Sequence, residues 1–326
     1  NTIISNNDAS SGGGGLSIHG DSTTVTLRQS SFINNDATNN GDEIYTYGSP
    51  TISLINTYFN NTNNNNNIYV DNSGTPTWNN CSNTLCTESP FNGTCNQVND
   101  QNSKYGIICN YNSNTLQTTT CPNSNENIII NVIASPPTNT PLLSYCTSDE
   151  WNCDFTSNTG RFSRSTNCTI TGNNHVAVTN MLEINGSNTD MNNLITITAA
   201  TSKRHFYLNN ANAKLILRYL KLVGGDVSSS SDYPDYYGGS ILIWQNGGEL
   251  NLYSSIVFNN KAKYGGGIYA RSDDSSTNKN AIMNIYNSII HNNEATVYYG
   301  GGIYMRYAVA AIYKTTIDYN QASSSY

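Results

Sequence analysis

The sequence predicts an all-β chain wound as a parallel β-helix, a solenoid, present as the tail of one helix and the head of another joined by a disulfide-rich junction. Three observations predict it. A motif of Asn-Asn, a small residue, a glycine run and then Ile or Leu recurs along the chain. Between its copies, apolar and polar residues alternate with period two. All eight cysteines fall in one stretch between Cys81 and Cys168.

The first segment, 1–80, carries copies of the motif whose second asparagines are Asn7 and Asn35, with a degenerate copy near Asn61, so the spacings are 28 and 26 residues. Runs such as "TTVTLRQSSFI" and "TISLINTYFN" lie between them, rich in β-branched residues and lacking a 3.6-residue stripe. A repeat of this length made of short strands reads as stacked extended turns rather than helical pairs. The regularity decays into "NNTNNNNNIYVDNSGTPTWNN", which reads as the end of a solenoid.

The second segment, 81–125, reads as a cap or junction. Cys81, Cys86, Cys95, Cys109, Cys121, Cys146, Cys153 and Cys168 lack the paired spacing of a zinc site, so disulfides and an oxidising compartment are expected. The open core and strand edges at a solenoid's end need covering, which a cross-linked block supplies. Cys146 and Cys153 with Trp151 between them read as a cross-linked cap packed by an aromatic ring. Sequons at Asn60, Asn80, Asn92, Asn167 and Asn185 fit the same compartment and make covalent N-glycans the expected decoration.

The third segment, 126–326, starts afresh with "NIIINVIASPP" and becomes regular from about 170. Its motif copies are Asn260 with Gly265, Gly266 and Gly267, Asn293 with Gly300, Gly301 and Gly302, and Asn320, spaced 33 and 27 residues apart. Asparagine suits a corner that needs left-handed backbone, and stacked amides can bond from one turn to the next. The alanine two residues on (Ala9, Ala37, Ala262, Ala295, Ala322) is expected to point inward. Leu16, Ile44, Ile268 and Ile303 are expected in the core, with the neighbouring tyrosines outward. The chain opens inside a repeat and its two ends nearly fit each other, which suggests a window on a longer precursor or a tandem array.

The repeated "SIIHNN-EA" and "GGGIY" pattern resembles the Gly-Gly-Ala-Ile and Phe-x-x-Asn repeats of polymorphic outer-membrane-protein-like surface proteins. That resemblance implies a right-handed, pectin-lyase-like β-helix, a superfamily that includes lyases, hydrolases, adhesins and inert stalks. It therefore implies a fold and no activity.

Composition narrows the partners. Of 326 residues only 11% are charged, with formal net charge −7 and no basic run, which argues against nucleic acid. No apolar stretch approaches the roughly 18 residues that span a bilayer. The hydrolase-like fragments "NTD" (188–190), "DD" (273–274) and "HG" (19–20) lie too far apart to share one glycosidic bond. Asp226, Asp232 and Asp235 on one loop read as a solvated acidic loop rather than a calcium site. No catalytic constellation emerges, and no cofactor or metal is expected.

Tyrosines outnumber phenylalanines 23 to 7 and gather beside the glycines, at Tyr264, Tyr269, Tyr298, Tyr299 and Tyr304 above all, with Tyr233, Tyr236, Tyr237 and Tyr307 nearby. Such a face can bind sugars, carry glycans or pack on a neighbouring subunit. The expected protein is a secreted or cell-surface glycoprotein that self-associates as the repeating block of a fibre, appendage or matrix. A carbohydrate-binding adhesin is the alternative, and a polysaccharide lyase or hydrolase comes third.

Overall fold

The computed structural model describes residues 2–60 apart from 11, 29, 39–40 and 56–57. It also describes strands at 68–70, 77–78, 85–88, 91–92, 94–100 and 103–110, Trp151 and Cys153, and residues 159–323 apart from 172–174 and 273–280. Among these residues every regular element is a strand.

The strands form four sheets of eleven, ten, nine and five members. The chain deals them out in rotation. Leu220–Val223 enters the first sheet, Ile241–Ile243 the second and Gly248–Tyr253 the third, after which Ile256–Phe258 returns to the first beside Leu220–Val223. From there each circuit adds a two-residue strand, such as Lys261–Ala262 or Glu294–Ala295, to the small fourth sheet. Apart from the pairs made by strands within 91–110, neighbours are parallel and in register, so like residues stand above like.

Register builds the core. In the first sheet Leu222, Val257, Ile290, Ile317, Ile4 and Phe32 form one inward column, all at 3% exposure or less. Ile268, Ile303, Leu16 and Ile44 of the second sheet are buried as expected, and the third contributes Leu217, Leu252, Ile285, Ile312 and Leu27. Full burial of each such side chain stabilises by about 1.5–3 kcal/mol. The repeat alanines are buried too, and Ala9, Ala37, Ala295 and Ala322 make a small cluster of their own.

The expected solenoid, tail of one helix and head of another, is not what forms. The strands are divided among four separate parallel sheets, and both segments contribute to every one of them. Thr2–Ser5 pairs in parallel with Thr316–Asp318, Thr24–Arg28 with Ala308–Tyr313, and Asp8–Ala9 with Gln321–Ala322. The decay of the motif after residue 60 suggested a boundary between two bodies. The strand edges decide otherwise. The last circuit and the first present the same register and the same inward pattern, so each satisfies the unpaired backbone of the other.

One end of the stack is closed by Trp151, fully buried, whose ring lies 6.1 Å from that of Phe206. Arg164 Nη1 donates to the Trp151 carbonyl at 2.9 Å. The disulfide here joins Cys153 to Cys168, and Cys146 lies outside the described residues. At the other end the backbone turns antiparallel, with Thr94–Asp100 on Ser103–Asn110, where Cys95 and Cys109 are register partners.

Candidate functional site: the tyrosine face and the asparagine ladder

Each Asn-Asn corner divides its work between two residues. The first asparagine takes the left-handed backbone, with φ of 52° at Asn6 and Asn34 and 54° at Asn259 and Asn292, and Tyr319 fills that place in the last circuit at 51°. The second turns inward and forms a ladder. Asn260 donates its backbone N–H and its Nδ2 to Asn293 Oδ1 at 3.0 and 2.9 Å. Asn293 does the same to Asn320 at 2.9 and 2.9 Å, and Asn320 to Asn7 at 3.0 and 3.0 Å. Asn7 then donates both groups to Asn35 Oδ1, at 3.1 and 2.7 Å. Five amides, each 3% exposed or less, thus run unbroken along the axis.

The glycines exist to let this ladder pass. A Cβ on Gly302 would sit 2.9 Å from the Asn320 side-chain amide, and Gly265 holds φ of 60°. Glu43 breaks the rule. It occupies the place of the third glycine, and its Oε2 accepts the Nδ2 of Asn35, the last asparagine of the ladder among the described residues. Burial drives its carboxyl well above the usual range, opposed by the Asn35 bond, and its Oε1 has no hydrogen-bond partner among the described residues.

A second, hydroxyl ladder fills the corner before the first sheet. Ser255, Ser288, Thr315, Thr2 and Ser30 are stacked and 1% exposed or less. The Ser255 N–H donates to Ser288 Oγ at 3.2 Å, and Ser288 Oγ donates to the Tyr286 carbonyl at 2.8 Å. The sequence reading missed it because Ser and Thr abound everywhere. Its mark in the backbone is the left-handed residue one place earlier, at Ser254, Asn287 and Lys314.

The tyrosines cover the outer side of the second sheet. Tyr269 and Tyr304 are register partners with rings stacked at 4.9 Å, and Tyr237 stacks on Tyr269 at 4.5 Å and on Trp244 at 5.1 Å. Tyr264 and Tyr298 stack at 4.2 Å above them. Tyr269 and Tyr304 are 2% and 4% exposed, so they lie beneath the face; Tyr264, Tyr298 and Tyr299 are half-buried, and Tyr233 is the exposed edge. Burial holds the hydroxyls of Tyr237, Tyr264, Tyr269 and Tyr304 above the ordinary phenol range, so these phenols are neutral at physiological pH. The column is interrupted at Ser17, where His19 swings in. Its Nε2 lies 2.9 Å from Ser17 Oγ, with ring contacts to Tyr304, Tyr299 and Tyr45.

Of two adjacent buried basic groups, Arg204 holds the loop that carries Tyr233–Tyr237 and His205 bonds to Ser240 just after it. Arg204 is 1% exposed and donates to the Asp235 carbonyl at 2.6 Å, and burial lowers its pKa to about 10. His205 is fully buried between Ile197 O and Ser240 Oγ, each at 3.1 Å, and burial brings it down to about 4. Neither residue stood out in the sequence.

The fragments resembling hydrolase motifs do not meet. Asn188 and Asp190 form an exposed turn, His19 belongs to the tyrosine face, and Asp273–Asp274 lie outside the described residues. Asp226 accepts from Ser228, while Asp235 sits 3.7 Å from Arg204. Of the sequons, Asn167 is exposed, its Oδ1 accepting the Thr196 N–H at 2.8 Å. Asn185 is half-buried within a strand. Asn60 and Asn92 lie on strands described by backbone alone, and Asn80 lies outside the described residues. So do Cys81 and Cys121, while Cys86 falls on the strand Leu85–Glu88.

No protein-family model, curated protein or solved structure matches the chain.

Proposed function

We propose that this is a structural extracellular glycoprotein, a repeating building block of a fibre, cell-surface appendage or matrix. The observation that carries the reading is the unbroken ladder Asn260–Asn293–Asn320–Asn7–Asn35, which ties the two ends of the chain into one axial stack. Backbone bonds along the axis, repeated in four sheets, resist extension together. The Cys153–Cys168 disulfide and the exposed Asn167 sequon support secretion and glycosylation. Negative-stain imaging of the native material tests it. Filaments with a regular axial repeat are expected, and isolated particles at all concentrations would contradict it.

A second reading, carbohydrate adhesion, is favoured by one feature. A groove of about 420 Å³ beside the ladder is lined by Asn259, Asn292, Lys261, Glu294 and Tyr319, amides and a ring suited to sugar hydroxyls and faces. Saturable binding on a glycan array, lost in Tyr319→Ala, is the outcome that reading requires.

A further inference from the structure

The junction between the last circuit and the first differs from every other. Elsewhere a strand pairs with one reached within a single circuit, as Ile289 does with Thr316. Here partners are about 310 positions apart, as Asn320 and Asn7 are at 313.

In the second sheet the junction is also less tightly bonded than the interfaces on either side of it. Between the two circuits below it, backbone bonds link Gly266 to Gly300, Gly267 to Gly301 and Ile268 to Gly302, at 2.9–3.1 Å. Above it Gly13, Gly15 and Leu16 bond to Gly41, Asp42 and Glu43 at 2.8–3.0 Å. Across the junction, among the described residues, no such bond joins Gly300–Gly302 to Gly13–Gly15. The second sheet there pairs only Ile18 with Met305 and His19 with Arg306, against four pairs on either side. A cavity of about 20 Å³, lined by Gly13, Gly15, Gly301, Gly302 and Asn320, fills the gap. The tyrosine column fails at the same level, at Ser17.

We propose that this junction is an exchangeable joint whose partner is a second copy of the chain, the strands of 2–55 from one copy docking on those of 281–322 from the next. This rests on the reading above that the protein self-associates. An interface with fewer bonds and a void opens before its neighbours, and opening exposes complementary strand edges in all four sheets. No contact in the joint depends on which chain supplies the first segment. The connection does not impose it either. Between Asn110 and Trp151 lie forty residues, which fully extended could span roughly 130 Å, well beyond a stack of eleven strands at about 4.8 Å a step, roughly 50 Å. Docking in this sense is head to tail, leaves one free edge at each end and so propagates.

The test uses Ile3 and Thr316, register partners on the outer side of the first sheet. Ile3→Cys is prepared in chain labelled with nitrogen-15, Thr316→Cys in unlabelled chain, and the two are unfolded, mixed, refolded and oxidised. Mass spectrometry then seeks a disulfide joining a labelled to an unlabelled peptide. The joint predicts this mixed species, its fraction of the chain rising about tenfold for each tenfold rise in concentration while it is the minor form. Ser5→Cys with Asp318→Cys, the partners two residues on, replaces the pair if either variant loses its β-sheet circular dichroism. Cross-linking in the double variant Ile3→Cys/Thr316→Cys without any mixed species would overturn the exchange, and no cross-link even there would overturn the joint itself. Filaments without the mixed species would leave the filament reading standing and remove this joint from it.

Discussion

Glu43 stands where Gly15, Gly267 and Gly302 keep the other corners open, and its carboxylate is the last acceptor of the ladder. Ionised, it is a buried charge with one oxygen unpartnered. Because its folded pKa is raised, stability falls as pH rises from about 4.5 through the folded value, and the penalty is fully present above that. Glu43→Gln keeps the acceptor and removes the charge, so it is expected to stabilise by about 1–2 kcal/mol at pH 7. The gain should vanish below about pH 4, where the unfolded state is also protonated; urea unfolding at the two pH values measures both. His205 works in the opposite direction. Its folded pKa of about 4 lies below the ordinary 6.5, so the unfolded state takes up a proton first as pH falls. Stability is expected to fall by roughly 3 kcal/mol between pH 6.5 and 4, given about 1.4 kcal/mol per pKa unit. His205→Gln, which can keep both hydrogen bonds, should flatten that slope in the same unfolding series.

At the scale of the element, the ladder rather than the strand is the unit of specification. Asn293 accepts two bonds from Asn260 and donates to Asn320 and to the Val257 and His291 carbonyls. Asn293→Ala leaves several buried groups unpaired at once, each worth about 1–3 kcal/mol, so a loss of about 3 kcal/mol or more is expected from thermal and urea unfolding. Asn292→Ala, on the exposed neighbour, should cost about 1 kcal/mol, the strain of its left-handed backbone. A similar loss from both would contradict the division of labour. Much of this element was legible in the sequence. The spacing of Asn7, Asn35, Asn260, Asn293 and Asn320 marked the ladder, and the alternation of apolar residues marked the core. The tyrosines were half legible. Their clustering was visible, but Tyr269 and Tyr304 turned out to be covered by Tyr264, Tyr298 and the loop at 233–237, because ring-on-ring packing depends on loops the repeat does not fix. The hydroxyl ladder and His205 were not legible, since each matters through a partner about one circuit away, and Glu43 was not because its partner Asn35 meets it only across a folded corner.

For the whole molecule, the sequence misled where it looked most explicit. Loss of regularity after residue 60 and the cysteine block suggested two bodies, yet strand pairing depends on matching edges, and the edges that match belong to the first and last circuits. The same fact gives the protein its proposed mechanics: first and last circuits with complementary edges offer a built-in route to length when they come from different copies. The claim to test is that residues 2–5 stack directly on residues 316–318. The most direct measurement is the distance between spin labels placed at positions 3 and 316, paired neighbours in the first sheet. A single population at roughly 10–20 Å is predicted, since neighbouring strands lie about 4.8 Å apart and the labels add their own length. A distribution centred beyond roughly 40 Å would place the two segments in separate bodies and contradict the account.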